Sequence, residues 1–481
     1  MKMASPFSSD KFAVANLCQL RSVSAFVIVY LIFTISLPNQ LMYPNFSASQ
    51  FFSFFIKQTQ FQKNWDIDNS PTKLSHLAFG VLGSEGEWHF RKQYIESWWR
   101  PNMTRGFLYL DKAPATDLLP WSVTSPPYRV SDNLTMFLEE IRAVVPMVIR
   151  LVHGIKEVLR DVGDENLRWV VMGDDDSIFF VDNIVDVLAQ YDHNKYYYIG
   201  GASESMASNV RFSFNMGFGG AGIVLSYTLA KALADDMENC LRRHAPFLIT
   251  SDSIVMACVG DIGVDLSPNK GLHQIDLQGD ISGFLSSHPK SPVMSLHHLD
   301  MAEPIFPKMN SIEALRHLMK AAAADQSRTL QQVLCHERQR HWTISVSWGY
   351  SAHIYERIMP RSHLLNPIHT FVGNSTPFYM FNTRMPTSDP CEAPHIFFLK
   401  DVNHSSAGIL TTYSRAAPRQ INDSCPYCDN QCPHFVTEIH VFSLITKRTQ
   451  NDRCECCDFV GVNGTTAEVK FRECNRGEII A

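Results

Sequence analysis

Between residues 74 and 310, short apolar runs alternate with stretches whose apolar residues recur at helical spacing. Four short runs predict buried strands: Leu77–Leu82, Phe107–Leu110, Trp169–Met172 and Tyr196–Ile199. The longest helical pattern covers Leu134 to Val152, where Pro146 is expected to introduce a kink, and two further helices are predicted near Asp182–Gln190 and Leu225–Arg243. Alternation of strand and helix predicts an α/β fold whose sheet contains parallel crossovers.

The pattern changes near residue 305. A helical stretch continues to about Arg340, the strand-like HWTISVSWGY follows, and the remainder is rich in cysteine. We therefore predict an α/β domain over 74–310, a helical connector over 311–340, and a smaller cysteine-rich, β-rich domain over 341–481.

One long uncharged segment lies near the N-terminus. Residues 22–43 include SVSAFVIVYLIFTISL and are long enough to cross a bilayer of ~30 Å. Lys2, Lys11 and Arg21 precede the segment, and the next charged residue is Lys57, so the positive flank is expected to stay cytoplasmic. This predicts a type II signal anchor with a cytoplasmic tail over 1–21 and a stem over 44–73. A cleaved signal peptide is the alternative.

Sequons and cysteines also favour the secretory pathway. Seven Asn-x-Ser/Thr sequons occur, at Asn45, Asn102, Asn133, Asn374, Asn403, Asn422 and Asn463. Nine of the twelve cysteines follow residue 330, which favours disulfide bonds in an oxidising lumen, whereas in the cytosol the same spacing would suggest a zinc cluster. The net charge of −6 and the lack of a basic run do not favour nucleic-acid binding.

The triplet Asp174-Asp175-Asp176 follows the apolar run Trp169–Met172. Because side chains alternate along a strand, Asp174 and Asp176 are expected to project together while Asp175 points away. Two buried like charges are unfavourable unless a cation compensates them. The triplet therefore indicates a site for Mn2+ or Mg2+, and a solvated acidic turn is the alternative.

Two later positions could complete such a site. Asp252 precedes the apolar run Ile254–Val259, where a carboxylate could be a helix cap or a general base. His297 and His298 end a strand-like run, and either imidazole could be a metal ligand or an ordinary hydrogen-bonded histidine. The glycine-rich loop that contains Gly219, Gly220 and Gly222 has the wrong spacing for a dinucleotide fingerprint, and indicates close approach of the backbone to a ligand or a strand.

Five ordered motifs carry a family resemblance: WVVMGDDDSIFFVDNIVDVL, YYYIGGASES, FGGAGIVLS, TSDSIVMACVGDIG and SLHHLD. Together with the leading LAFGVLGS and RKQYIESWWRP, the set over about residues 74–305 resembles the Fringe-like β-1,3-glycosyltransferases of glycosyltransferase family 31. The similarity is greatest to a plant branch that was formerly described as a domain of unknown function.

The resemblance implies a GT-A-like, Rossmann-type sheet flanked by helices and an inverting transfer from a UDP-sugar. Mn2+ would be bound by Asp174, Asp176 and one of His297 and His298. Asp252 would be the catalytic base. The donor-binding residues would be Gly83, Ser84, Arg91, Asp174, Asp175, Gly219, Gly220 and Gly222.

The expected protein is then a single-pass Golgi enzyme with a luminal catalytic domain. It would transfer a hexose or N-acetylhexosamine from a UDP-sugar to a hydroxyl of a glycan or glycoprotein, and an oligomer with itself or with other Golgi enzymes would be compatible with this location. The cysteine-rich tail departs from animal Fringe proteins, which leaves the acceptor open.

Three alternatives to a transferase differ in how well the sequence fits them. A haloacid-type phosphatase needs Thr or Val where this chain has Ile178 and Phe179, and a calcium loop needs a glycine where Phe179 stands. An inactive member of the same fold that binds a glycan or acts as a scaffold is the alternative that the sequence leaves open.

Overall fold

The structure of the protein is a computed structural model, which describes residues 70–372, 379–389, 391–406, 408–417, 432–445 and 453–480. The helices are α1 (Trp88–Glu96), α2 (Thr135–Ile141), α3 (Pro146–Val162), α4 (Val181–Leu188), α5 (Met206–Arg211), α6 (Tyr227–Asp235), α7 (Met237–His244), α8 (Ser251–Asp261), α9 (Ser282–Ser287), α10 (Ser311–Ala324) and α11 (Arg361–Leu364). The strands of the first half are β1 (Leu77–Leu82), β2 (Gly106–Leu110), β3 (Tyr128–Val130), β4 (Trp169–Asp174), β5 (Ile178–Phe179), β6 (Tyr198–Gly200), β7 (Ile223–Ser226), β8 (Leu266–Pro268), β9 (Leu272–His273), β10 (Gln278–Gly279) and β11 (Ser295–Leu296). Those of the second half are β12 (Gln332–Glu337), β13 (Trp342–Ser347), β14 (Ser351–Tyr355), β15 (Phe371–Val372), β16 (His395–Ser405), β17 (Gly408–Arg415), β18 (Glu438–Ser443), β19 (Cys456–Asn463) and β20 (Thr466–Arg472).

The central sheet has seven strands in the order β3-β2-β1-β4-β7-β6-β8. Strands β3, β2, β1 and β4 are parallel neighbours, which confirms the predicted α/β class. Strand β7 runs antiparallel to both β4 and β6, so the sheet is mixed and the expectation of parallel crossovers holds only for one part of it.

Helix α3 covers one face of this sheet. Its buried residues Ile149, Val152, Ile155 and Val158 are each at most 1 % exposed, and their spacing places them on one stripe. A side chain at Gly80 of β1 would lie 2.4 Å from Val158 Cγ2, so glycine is what allows the helix to approach the strand. Burial of each large apolar side chain contributes roughly 1.5–3 kcal/mol to folding.

Two helix predictions are wrong in detail. The pattern from Leu134 to Val152 forms two helices because Arg142 adopts a left-handed conformation (φ 53°), and Pro146 begins the second helix instead of kinking one long helix. The predicted helix Leu225–Arg243 begins too early, since Leu225 belongs to β7, and it forms two helices, α6 and α7, that are separated at Asp236. Apolar runs of this length fit a buried strand and a buried helix equally well.

The C-terminal region is β-rich, as predicted. Eight strands form a second sheet in the order β12-β13-β14-β16-β17-β18-β20-β19. A disulfide bond between Cys335 and Cys457 joins the first and last of these strands, and Cys456 bonds to Cys474. Another bond, Cys240–Cys258, joins α7 to α8, although the sequence predicts disulfide bonds mainly among the cysteines after residue 330.

Residues Pro71–Ala481 cluster as one compact unit, and a continuous buried core includes residues from Leu77 to Phe471. Residues 311–340 contain α10 and β12, and the domain boundaries at 310 and 340 stay predictions. The predicted membrane segment 22–43 lies outside the described residues. Within the described part of the chain, none of the helices has the length and apolar character needed to cross a membrane. The four sequon asparagines in the described ranges, Asn102, Asn133, Asn403 and Asn463, are all exposed.

Candidate active site

The acidic triplet lies where β4 ends, in a tight turn that Ser177 holds. The Ser177 amide donates to the Asp174 carbonyl (3.1 Å), and the Asp174 amide donates to Ser177 Oγ (2.9 Å). The Ser177 hydroxyl in turn donates to the carbonyl of Gly220 (2.6 Å). This turn therefore fixes the triplet against the glycine-rich loop.

Asp176 is the most enclosed member of the triplet, at 6 % exposure. Arg91 Nη1 donates to its Oδ2 at 2.6 Å, and His297 Nε2 lies 3.0 Å from its Oδ1. Burial alone would raise the pKa of Asp176, but the hydrogen bond and charge of His297, together with Arg91, hold that pKa below its ordinary value. Asp176 is therefore a carboxylate at neutral pH.

The other two aspartates diverge from each other. His297 Nε2 is 4.0 Å from Asp174 Oδ2, so Asp174 and Asp176 face the same imidazole. Asp175 instead accepts a hydrogen bond from the Ser84 amide (3.3 Å) at the end of β1, and a side chain at Gly83 would lie 2.9 Å from Asp175 Oδ2. This places Gly83 and Ser84 beside the triplet.

Negative charge accumulates at this edge of the sheet. Burial raises the pKa of Asp174 well above its usual range, and the neighbouring carboxylates of Asp176, Asp252 and Asp175 raise it further. Burial, followed by the charge of Asp176, raises the pKa of Asp175 to about 6. Such shifts are typical of groups gathered to act together at a functional site.

His297 and His298 reach the triplet through a small three-stranded sheet in the order β5-β11-β9. Strand β11 is antiparallel to β5, and His297 follows its last residue. The two imidazole rings are 3.7 Å apart. His298 adopts a left-handed conformation (φ 58°), and its Nδ1 lies 2.6 Å from Asp276 Oδ1. Both histidines therefore belong to the site.

Asp276 was not predicted from the sequence. Burial would raise its pKa, but hydrogen bonds from His298 and Ser203 keep that pKa below the ordinary value. Ile275 and Asp276 both have positive φ, 65° and 56°, which is uncommon for side chains of these types. Glu204 supports this conformation, since its Oε2 accepts a hydrogen bond from the Ile275 amide (2.5 Å).

Asp252 occupies the second position of α8. Thr250 is the helix cap, because its hydroxyl accepts from the Ser253 amide (3.2 Å), so the interpretation of Asp252 as the cap is wrong. Asp252 instead accepts hydrogen bonds from the Gly219 amide and from Ser251 Oγ (3.2 Å). Burial raises its pKa, which suits a group that accepts a proton.

Two glycines of the loop provide the space that these side chains occupy. A side chain at Gly219 would lie 2.5 Å from Asp252 Oδ1, and one at Gly220 would lie 2.0 Å from His297 Cε1. Gly222 differs, since its φ is +99° and it packs against Phe179 of the core. The first two glycines border the site directly, and a role of Gly222 in ligand binding stays a prediction.

The residues present fit a divalent cation. Asp176, His297 and His298 each offer a ligand atom, and these atoms all lie within 4.8 Å of one another. In the described part of the chain, His297 Nδ1 is buried without a hydrogen-bond partner. Carboxylate oxygen combined with imidazole suits a divalent transition metal better than Mg2+, which prefers oxygen ligands and keeps several waters.

The sequence matches the model of a protein family. The family model described as a protein of unknown function, DUF604, matches residues 208–457, which include Gly219, Gly220, Asp252 and both histidines. None of the curated proteins matches this chain. Because the matched segment covers more than half of the sequence, the chain belongs to this DUF604 family of proteins of unknown function.

Proposed function

We propose that the protein is an inverting glycosyltransferase of the Fringe-like type, with a GT-A-like fold, which uses Mn2+ and a UDP-sugar. One observation carries the proposal. Asp176 Oδ1 and His297 Nε2 lie 3.0 Å apart in a buried corner of the site, and Asp252 lies across the glycine loop from them with a raised pKa. A metal site beside a separate base is what transfer from a nucleotide sugar requires.

The chemistry divides between the two sides of the loop. When bound, the cation would neutralise charge on the diphosphate leaving group. Asp174, Asp176 and one or both histidines would hold it. Gly83, Ser84 and Asp175 border the end of β1, where we place the rest of the donor.

Asp252 would accept the proton from the acceptor hydroxyl as that oxygen bonds to the anomeric carbon and the bond from that carbon to UDP breaks. The Gly219 amide and Ser251 hydroxyl orient the carboxylate for this step. A single base on one side of the donor favours one displacement, and therefore inversion.

The proposed location is the Golgi lumen, with the N-terminal segment as a type II anchor. The exposed sequon asparagines and the disulfide bonds of the described residues support a luminal environment. The acceptor would be a hydroxyl of a glycan or glycoprotein, and the linkage β-1,3.

A screen of UDP-sugars for Mn2+-dependent hydrolysis by the purified protein tests this function. We expect one donor to be hydrolysed, and we expect Asp252→Asn to retain donor binding while transfer to an identified acceptor is lost. Asp261→Asn, an exposed carboxylate at the other end of α8, is the matched control and should keep its activity. Binding of a donor without any turnover would favour an inactive, glycan-binding member of the fold.

A further inference from the structure

Arg91 of α1 bridges two carboxylates at the edge of the site. Its Nη1 lies 2.6 Å from Asp176 Oδ2 and 2.9 Å from Asp300 Oδ2. Its Nε is 4.0 Å from Asp175 Oδ1. Asp176 therefore lies between the guanidinium on one side and the imidazole of His297 on the other.

In this arrangement the Arg91 guanidinium and a cation bound at Asp176 would repel each other. A divalent cation that binds the Asp176 carboxylate would lie close to the Arg91 guanidinium, and the repulsion between like charges is strong at such separations in a partly buried site. The same guanidinium offers a planar fork of donors that matches the oxygens of a phosphate group. A diphosphate would therefore attract both the cation and Arg91, and would offset their repulsion.

Asp300 contacts the Arg91 guanidinium and lies outside the group of residues that could bind the cation. It contacts Arg91, but it does not belong to the group formed by Asp176, His297 and His298. It follows His298 by two residues and lies in a short 3-10 turn, Leu299–Met301. Asp300 therefore holds the guanidinium from a position outside that group.

Resting on the proposed function, we propose that Asp300 is a positioning residue which anchors Arg91, and that Arg91 makes binding of the divalent cation depend on the nucleotide diphosphate. Without the nucleotide, Arg91 opposes the cation at Asp176. With the nucleotide bound, Arg91 turns its donors to the diphosphate while Asp300 retains it. The cation and the nucleotide then strengthen each other's binding.

The proposal predicts opposite effects for two variants. In Arg91→Gln the opposing charge is gone, so Mn2+ alone should bind about fivefold more tightly than to the wild type, or more, and the factor by which UDP tightens Mn2+ binding should fall by a similar amount. In Asp300→Asn the guanidinium has only the triplet as partner, so Mn2+ alone should bind more weakly. General damage to the site would weaken Mn2+ binding in both variants.

Isothermal titration calorimetry on the detergent-solubilised full chain measures these effects, with Mn2+ titrated in the absence and presence of saturating UDP. Arg100→Gln is the matched control. Arg100 forms a two-bond pair with Asp182 (2.8 and 2.7 Å) and lies just beyond α1, so Mn2+ binding should match the wild type. The melting temperature of each variant reports folding.

The outcomes separate the two proposals. Mn2+ binding to Arg91→Gln that equals or falls below the wild type, with coupling to UDP unchanged, would overturn the role of Arg91. If Arg91→Gln does not fold, Asp300→Asn decides, since wild-type or tighter binding of Mn2+ alone would overturn the proposal. A wild-type protein that binds neither Mn2+ nor UDP would instead overturn the proposed function.

Discussion

Two buried clusters of charge in this molecule are built on different principles. In one, Arg328 of the segment after α10 faces Asp325 and Glu455, and all three are less than 10 % exposed. Arg328 Nε donates to both oxygens of Glu455 (3.1 and 2.9 Å), and Nη1 donates to Asp325 and to the Leu444 carbonyl. In the other, at the end of β4, carboxylates outnumber cationic groups. Its members are Asp174, Asp175, Asp176, Asp252, Asp276 and Asp300, with Arg91, His297 and His298 as the basic groups.

The balance of charge in each cluster indicates its role. Hydrogen bonds match donors to acceptors around Arg328, and the cluster links the segment after α10 to the region before β19, so its role is structural. In the cluster at the end of β4, the pKa values of Asp174, Asp175 and Asp252 are raised because burial, and then neighbouring carboxylates, oppose ionisation. A surplus of buried negative charge is expected where a cation binds.

Removing the cationic group of the cluster formed by Arg328, Asp325 and Glu455 should give the largest effect on stability. Arg328→Met leaves two buried carboxylates without their partner, so the free energy of unfolding should fall by about 3–5 kcal/mol. Chemical denaturation monitored by tryptophan fluorescence measures this. The control is Arg357→Met, which removes an exposed ion pair with Glu392 (3.2 Å) and should cost less than about 1 kcal/mol. Equal losses in the two variants would refute the structural role.

Adding a side chain beside the acidic cluster at the end of β4 should change Mn2+ binding more than it changes stability. In Gly220→Ala the new Cβ would lie 2.0 Å from His297 Cε1, so the imidazole must move away from Asp176, and Mn2+ affinity should fall by roughly tenfold or more. Calorimetry with Mn2+ measures the loss. Gly260→Ala on α8, where a side chain meets open space, should leave Mn2+ binding intact and stabilise the helix by up to about 1 kcal/mol. Unchanged Mn2+ binding in Gly220→Ala would exclude His297 as a ligand.

A third cluster, formed by Glu204, His273 and His288, makes stability depend on pH. Burial, followed by the charge of His273, lowers the pKa of His288 to about 2. The carboxylate of Glu204 is paired with His273 instead, since His273 Nδ1 lies 2.7 Å from Glu204 Oε1. The unfolded chain, with an ordinary histidine pKa near 6.5, binds a proton first on acidification. The contribution of His288 to stability is therefore complete above about pH 6.5 and is lost as pH falls towards 2.

Substitution of His288 by phenylalanine should reduce this dependence. The ring stacks on Phe284 and contacts Phe381, so phenylalanine fits the surroundings. Between pH 7.5 and 5.5 the variant should lose about 1.4 kcal/mol less stability than the wild type. The same substitution at His404, which is exposed, is the control and should leave the wild-type pH profile unchanged. An identical pH profile for His288→Phe would contradict the assignment.

The smallest expected effect concerns the surplus charge itself. Because the pKa of Asp174 is raised in the folded state, its charge costs stability at high pH, and the cost disappears as pH falls and the carboxyl group is protonated. Asp174→Asn should therefore be as stable as the wild type, or more stable, at pH 8, and the difference should shrink at lower pH. Thermal unfolding across pH measures this, and a loss of stability at pH 8 would contradict the repulsion described here.

The sequence predicts the strands that carry the site better than it predicts the contacts between the side chains of the site. The continuous apolar run Leu77–Leu82 defines β1 to the residue, and the run from Trp169 places the triplet at the end of β4, because strands buried on both faces have no polar interruption. Asp276 was missed because its partner His298 is distant in sequence and no spacing marks it. Glu204 and Asp300 lie in the motifs YYYIGGASES and SLHHLD, but no role was predicted for them because their partners are also distant in sequence. Thr250 was overlooked as the cap of α8 because Asp252 satisfies the same preference for capping residues.

Calorimetry of UDP binding to the wild type and to Asp176→Asn, each with and without Mn2+, tests whether Asp176 binds a cation that UDP binding requires. The carboxylate of Asp176, held between Arg91 and His297, should bind the cation on which UDP binding depends. We predict that the wild type binds UDP only when Mn2+ is present, and that Asp176→Asn keeps its melting temperature but binds no UDP. Equal UDP binding by the two proteins, or wild-type binding that persists in excess chelator, would contradict the account.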